Sequence, residues 1–306
     1  MIRRINDYRQ EVLDQFKRGS QVGEPSGLTF LDPHLKIRPG YFYAVTGWPG
    51  SGKSELVLQL ALLQATISKR KVAFYSPESY PVESFIATMA HCLLGESTDR
   101  SYPNCCTEAK YIAALNWLHE WIYLVDYEES PKPDEVVEDF KSLKTAMGVK
   151  VFILDPFNSL TNEEGENMAL QLKDILNKFV HFTHSEKVIF FCIEHPKTPR
   201  DTVNETSQVP GPWQLFGGTM WWNKSDCVFA IHAHKTDGRY TGDVTIKVWK
   251  MKNQKLNGRP GEVNAFFNIS MNRYYSNAQG GGNMIENFTV GIGQQKQIEE
   301  KQGLPF

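Results

Sequence analysis

The sequence predicts an α/β fold: a mostly parallel central sheet, flanked by helices, that ends in a C-terminal antiparallel hairpin. Three observations predict it. Short runs of β-branched and aromatic residues alternate with stretches of helical periodicity, the first run leads straight into a glycine loop and a helix, and the last runs are joined by glycine-containing turns.

In chain order, Ile5, Tyr8, Val12 and Phe16 recur at helical spacing with Leu13 beside them, so residues 2–17 read as a short amphipathic helix. A helix of that length is stable only when docked, either on its own domain or on a neighbouring subunit. A loop rich in Gly, Ser and Pro follows at residues 19–27. Residues 41–46 form the first buried strand, and 53–68 the helix after the glycine loop. Further buried strands are expected at 72–76, 122–126, 151–155 and 188–194, separated by helical stretches such as 108–121, 134–147 and 168–183. Alternation of this kind implies parallel strands covered on both faces. The runs 227–232, 243–250 and 262–269 read as strands joined by tight turns. Beyond Gln279 the triple glycine and the Gln/Lys/Glu-rich segment read as a flexible tail. The expected organisation is therefore a linker helix and loop over 1–26, an α/β domain over 27–278 and a tail over 279–306.

Composition narrows the function. At 306 residues with 41% hydrophobic content, the chain holds one large domain or two small ones. A net charge of −2 argues against a broad basic face, so any nucleic-acid contact is confined to a few loops. The five cysteines include no CxxC pair and read as reduced thiols. MIRRINDYRQ lacks an apolar signal core, and no stretch reaches membrane-span length. No membrane partner is expected, and the cytoplasm of a bacterial or phage-infected cell is the expected location.

The most specific motif is Gly47-Trp48-Pro49-Gly50-Ser51-Gly52-Lys53-Ser54, a Walker A pattern between a strand and a helix. Glycines let successive N–H groups curl around a β-phosphate, and the helix presents its positive end to the same anion. Lys53 is expected to reach the β- and γ-phosphates of ATP, and the Ser54 hydroxyl to ligate Mg²⁺. Asp155 closes the run Val151-Phe152-Ile153-Leu154 and, with a Walker A upstream, is expected to hold Mg²⁺ through water. Glu78, after the strand at 72–76, is a candidate to orient and deprotonate the attacking water; Glu163, Glu164 and Glu194 are rivals that spacing does not eliminate. His195, at the end of another buried run, is a candidate γ-phosphate sensor.

These motifs, together with Phe74-Tyr75-Ser76-Pro77-Glu78, Cys192-Ile193-Glu194-His195-Pro196-Lys197 and Trp249-Lys250-Met251-Lys252-Asn253, occur in an order and spacing that resembles the DnaB/Twinkle-type replicative helicases over residues 27–275. The likeness is greatest to the helicase half of Twinkle-like primase-helicases. It implies a RecA-like P-loop NTPase fold, a DNA-stimulated ATPase activity and a homo-oligomeric ring, expected as a hexamer, that moves on single-stranded DNA. It also implies roles: Glu78 as catalytic base, Asp155 as Walker B aspartate and His195 as sensor. Lys250 and Lys252 fall on a Lys-x-Arg pair that reaches into the neighbouring subunit's ATP site; the finger position is lysine here, so hydrolysis is slower or a residue such as Arg259 substitutes. The adenine-stacking aromatic falls at Phe267, while its arginine counterpart aligns with Ala233. Lys197, Arg200 and the Gly217-Gly218 backbone fall on DNA-facing loops. Trp213, Trp221 and Trp222 read as base-stacking, core or interface residues. With no primase module ahead of the motor, a separate primase and other replisome proteins are the expected partners. A RecA/RadA-like recombination or mediator ATPase and a P-loop phosphotransferase are the competing readings.

Overall fold

The computed structural model describes residues 4–160, 168–198 and 207–290. Nine strands form one sheet: β1 (Phe42–Thr46), β2 (Val72–Tyr75), β3 (Ile122–Val125), β4 (Val151–Leu154), β5 (Ile189–Ile193), β6 (Cys227–Thr236), β7 (Arg239–Met251), β8 (Gly261–Asn268) and β9 (Arg273–Tyr275), in the order β3-β2-β4-β5-β1-β6-β7-β8-β9. From β3 to β6 every pairing is parallel, and from β6 to β9 every pairing is antiparallel. The fold is therefore the mixed α/β arrangement expected, with a C-terminal antiparallel extension longer than one hairpin. The helices are α1 (Arg9–Arg18), α2 (Lys53–Thr66), α3 (Val82–Leu94), α4 (Glu108–Trp121), α5 (Pro133–Met147), α6 (Met168–Glu186), α7 (Gly218–Lys224) and the short α8 (Gln254–Asn257).

Strand periodicity divides the core into two layers. On β1, Tyr43 and Val45 join the layer built by α2, α3 and α4, while Phe42 and Ala44 join the layer built by α5, α6 and α7. The second layer is dominated by aromatic rings: Phe140 lies 4.7 Å from Phe152, and Phe179 lies 5.1 Å from Phe190, centre to centre. Each of these side chains is fully buried, and each burial stabilises the fold by about 1.5–3 kcal/mol. Because both faces of the parallel strands are covered, the strands read as continuous apolar runs.

α2 is buried along both its faces, with only Ser54 and Glu55 less covered. The sheet covers one side, and the chain after β9 covers much of the other. This corrects the expectation of a tail from residue 279. Gly280, Gly281 and Gly282 have φ of 96°, 93° and 76°, a left-handed run that only glycine adopts without strain, and it turns the chain back onto the domain. Thr29 N then donates to Gly282 O at 2.8 Å, Met284 N to Gly27 O at 2.9 Å, and Ile285 is fully buried. Phe288 packs edge-on to Trp117 at 5.2 Å. Residues 280–288 thus pack on the domain; residues 291–306 of the expected tail lie outside the described residues.

α1 has the opposite character. Val12 and Phe16, and Ile5 on the 3₁₀ turn before it, are 58%, 86% and 89% exposed, so the described residues of its own chain leave the apolar stripe read from the sequence largely uncovered. Among the described residues, no helix is long and apolar enough to cross a membrane.

Candidate nucleotide site

β1 delivers the chain to the phosphate-binding loop at its C-terminal end. Ser51 N donates to Trp48 O at 3.0 Å, and Gly52, at φ 88°, opens α2 in a left-handed conformation. A Cβ at Gly47 would strike Ser51 Oγ and Ile231 O, one at Gly50 would lie 2.6 Å from Tyr240 Oη, and one at Gly52 would strike Tyr274 Oη. The glycines therefore let the loop pack closely against its neighbours. Lys53 is buried, and its Nζ donates to Gly47 O at 3.0 Å and to Trp48 O at 3.3 Å. Burial lowers its pKa, opposed by the carboxylates of Asp155, Glu55 and Glu78.

Parallel pairing brings the ends of β2, β4 and β5 beside this loop. Asp155 N donates to Tyr75 O at 2.9 Å and Glu194 N to Val45 O at 2.9 Å, which fixes both carboxylate-bearing residues at the strand ends. Burial pushes the Asp155 carboxyl up to about 6, against a hydrogen bond with Ser54. That pair, a hydroxyl and a carboxylate one bond apart at a buried position, is a donor set suited to Mg²⁺. Glu78 and His195 face each other, Oε2 to Nε2, at 3.6 Å. Burial, then the Lys53 charge, lowers the His195 pKa, with Glu78 opposing, so the ring is neutral near pH 7. Lys53, Ser54, Asp155, Glu78 and His195 therefore form one constellation. Thr46 Oγ1, Ser51 Oγ and Glu194 Oε2 are buried without a hydrogen-bond partner in it, an arrangement that fits a site built around a polar ligand. Burial raises Glu194 to about 8, which makes it a neutral acid near pH 7 and a poorer base than its position suggests. Glu163 and Glu164 lie outside the described residues.

Beside the loop is a cavity of about 410 Å³ lined by Trp48, Pro49, Ser51, His232, His234 and Tyr240, among others. On the α2 side, Phe267 packs against Tyr274 at 4.8 Å with the rings tilted by 43°, and Tyr274 Oη donates to Gly52 O at 2.9 Å. Tyr274 was not singled out from sequence; its tie to the loop arises from β9, which is only three residues long and gives no periodicity.

Lys250 and Lys252 are not in the constellation. β7 ends where β6 begins, and Asp226 N donates to Phe42 O at 2.9 Å, so both lysines sit by the start of β1, opposite the loop. Asp226 is buried and binds Phe42 N at 2.9 Å, His184 Nε2 at 3.0 Å and Lys252 Nζ at 2.7 Å. Lys250 Nζ donates to Trp222 O and lies 5.6 Å from the Trp222 ring. Arg259 is exposed on the loop after α8.

Of the DNA-facing candidates, Lys197 is exposed, with its backbone N tied to Gln214 O at 2.8 Å. Arg200 lies outside the described residues. Gly217 and Gly218, expected on a DNA-facing loop, pack against the protein's own chain. Gly218 is buried, and a Cβ there would meet Pro212 O and lie 2.9 Å from Trp213 Cα; a Cβ at Gly217 would strike Leu172. The close approach these glycines allow is to the protein's own chain, where Gly217, at φ 63°, starts α7. The tryptophans separate likewise: Trp221 is core, while Trp213 stacks on Trp222 at 5.6 Å with 59% of its surface exposed.

A family model described as an AAA domain matches residues 9–201. The Twinkle homolog protein, chloroplastic/mitochondrial, of Arabidopsis thaliana is 24% identical over 271 residues, covering 85% of this chain and 37% of that protein. The chain thus spans little more than a third of the length of that relative. Among solved structures, the ATPase domain of G40P superposes with a TM-score of 0.73 at 14% identity, covering 90% of this chain and 99% of the other. A DnaB-like replicative helicase, solved in a study of its interactions with primase, superposes with a TM-score of 0.69 at 14% identity, covering 90% and 67%. The chain shares its fold with both of these structures.

Proposed function

Starting from a chain that belongs to the AAA-domain family, we propose that it is the ATPase motor of a replicative DNA helicase, a ring that hydrolyses ATP between subunits and moves along single-stranded DNA. The observation that carries this reading is the division of the catalytic set. The loop, acid and sensor residues meet at one end of β1, while Lys250 and Lys252 lie at the other, out of range of their own loop. A second copy is what brings the missing cations to the phosphates, and a hexamer closes such head-to-tail contacts without free ends. The stripe of α1, left uncovered by the described residues of its own chain, supports the same assembly, since a neighbouring subunit is a surface on which it can dock.

In the proposed site the loop N–H groups and Lys53 hold the β- and γ-phosphates of ATP. Ser54 and Asp155 hold Mg²⁺, which when bound neutralises phosphate charge. Glu78 orients the attacking water and accepts its proton. His195, neutral and 3.6 Å from Glu78, reports the state of the γ-phosphate to the loop that carries Lys197. Lys197 binds DNA phosphates without reading sequence. Lys252 acts on the neighbour's phosphates as a point charge in place of an arginine fork. A separate primase is the partner proposed by analogy with the DnaB-like helicase.

The test is ATPase rate and sedimentation in the same sample, with and without single-stranded DNA, for the full chain and for the chain lacking residues 1–20. A ring whose hydrolysis rises with DNA, and whose assembly weakens on truncation, is the expected result. A DNA-indifferent monomer would overturn the motor reading.

A further inference from the structure

A triphosphate held by the loop must place its nucleoside within a few ångströms of it, and two aromatic side chains are candidates to receive the base. Phe267, the position implied by family resemblance, already packs against Tyr274, ring centres 4.8 Å apart at a 43° tilt, and the partner that would complete a sandwich is Ala233, which has no group to offer. Tyr240 is placed differently. It stands at the start of β7, paired with Lys235 across the β6–β7 turn, and its hydroxyl reaches the Gly50 position of the loop. Lys235 Nζ lies 4.5 Å from the centre of its ring, and 52% of the residue remains exposed. The ring borders the cavity of about 410 Å³, a volume in the range of small-ligand sites, and the same cavity begins at Trp48, Pro49 and Ser51 of the loop.

Resting on the nucleotide-site reading above, the geometry points to Tyr240 as the platform on which the base of the nucleoside triphosphate stacks, with base and ribose lodged in this cavity between the loop and the β6–β7 hairpin. Lys235, which also lines the cavity, orients the ring from one face, and the other face is the one proposed to receive the base. His234, whose Nε2 is bonded to Thr245 Oγ1 at 2.8 Å, lines the same wall and is held in place to meet a polar edge. Ala233 then fits as a small residue that keeps the cavity floor open.

The experiment is equilibrium binding of ATP and of inorganic tripolyphosphate, which lacks the nucleoside, to the wild type, Tyr240→Ala, Tyr240→Phe, Phe267→Ala and Lys53→Ala. Tyr240→Ala should weaken ATP roughly tenfold or more and leave tripolyphosphate unchanged, while Tyr240→Phe retains ATP affinity. Unchanged ATP affinity in Tyr240→Ala, with a loss in Phe267→Ala, would put the base on Phe267 and overturn the inference. Equal loss of both ligands in Tyr240→Ala would mean the tyrosine only shapes the loop, which overturns it too. Loss of both ligands in Lys53→Ala establishes the phosphate site independently of either aromatic; a wild type that binds neither ligand would overturn the nucleotide site along with the inference.

Discussion

Glu194→Gln is the perturbation whose magnitude follows most directly from the structure. Glu194 is 8% exposed at the end of β5, its Oε2 has no partner, and burial raises its carboxyl from an ordinary 4.5 to about 8. That displacement corresponds to at most roughly 5 kcal/mol between the two protonation states. The sign follows from proton counting. Between about 4.5 and about 8 the folded chain keeps this proton and the unfolded chain does not, so raising the pH favours unfolding; above the folded value the loss is complete. Glutamine resembles the protonated acid in shape and removes the titration. Urea unfolding of both proteins at about pH 5 and about pH 9 isolates the effect, because groups common to both cancel in the difference. The wild type should lose several kcal/mol more than Glu194→Gln over that interval, with the variant the more stable at the higher pH. Parallel losses in the two proteins would refute the reasoning and mean that the carboxylate is solvated or paired when charged.

Glu78→Gln should leave ATP binding within about twofold of wild type and reduce hydrolysis by about a hundredfold or more, as expected of a lost general base; binding titration beside steady-state turnover checks it, and equal loss of both would mean Glu78 is not the base. Lys252→Ala should reduce turnover more steeply than its mole fraction in rings mixed with wild type, since it acts on a neighbour; a linear decline would exclude action in trans. Tyr274→Phe should cost about 0.5–1.5 kcal/mol in urea unfolding, because Gly52 O, which keeps its bond from Leu56 N, loses its second donor at a part-buried position; an unchanged midpoint would show that the hydroxyl does not hold the loop.

The alternation of apolar runs and helices determined the order of the parallel elements, because strand and helix periods are local properties written residue by residue. The phosphate loop was legible for the same reason: its glycines, Lys53 and Ser54 are contiguous, and their context is a strand and a helix on either side. Asp155, Glu78 and His195 were legible as strand-end residues, but only parallel pairing of β2, β4 and β5 around β1 brings them to one place. What lay beyond the sequence was non-local. The triple glycine has the composition of a tail, yet Ile285 and Phe288 bury themselves against residues far back in the chain, a gain of apolar burial that composition does not register. Gly217 and Gly218 indicate close approach, but not to what; the packing of Pro212, Trp213 and Leu172 decides it. Tyr240 and Tyr274 reach the loop from strands nearly two hundred residues or more away, so their place beside Gly50 and Gly52 was set by sheet order and side-chain direction. The sequence by itself determined which chemistry the chain carries, and the tertiary structure decided which residues surround it, because chemistry resides in residue types while surroundings are made by contacts between distant segments.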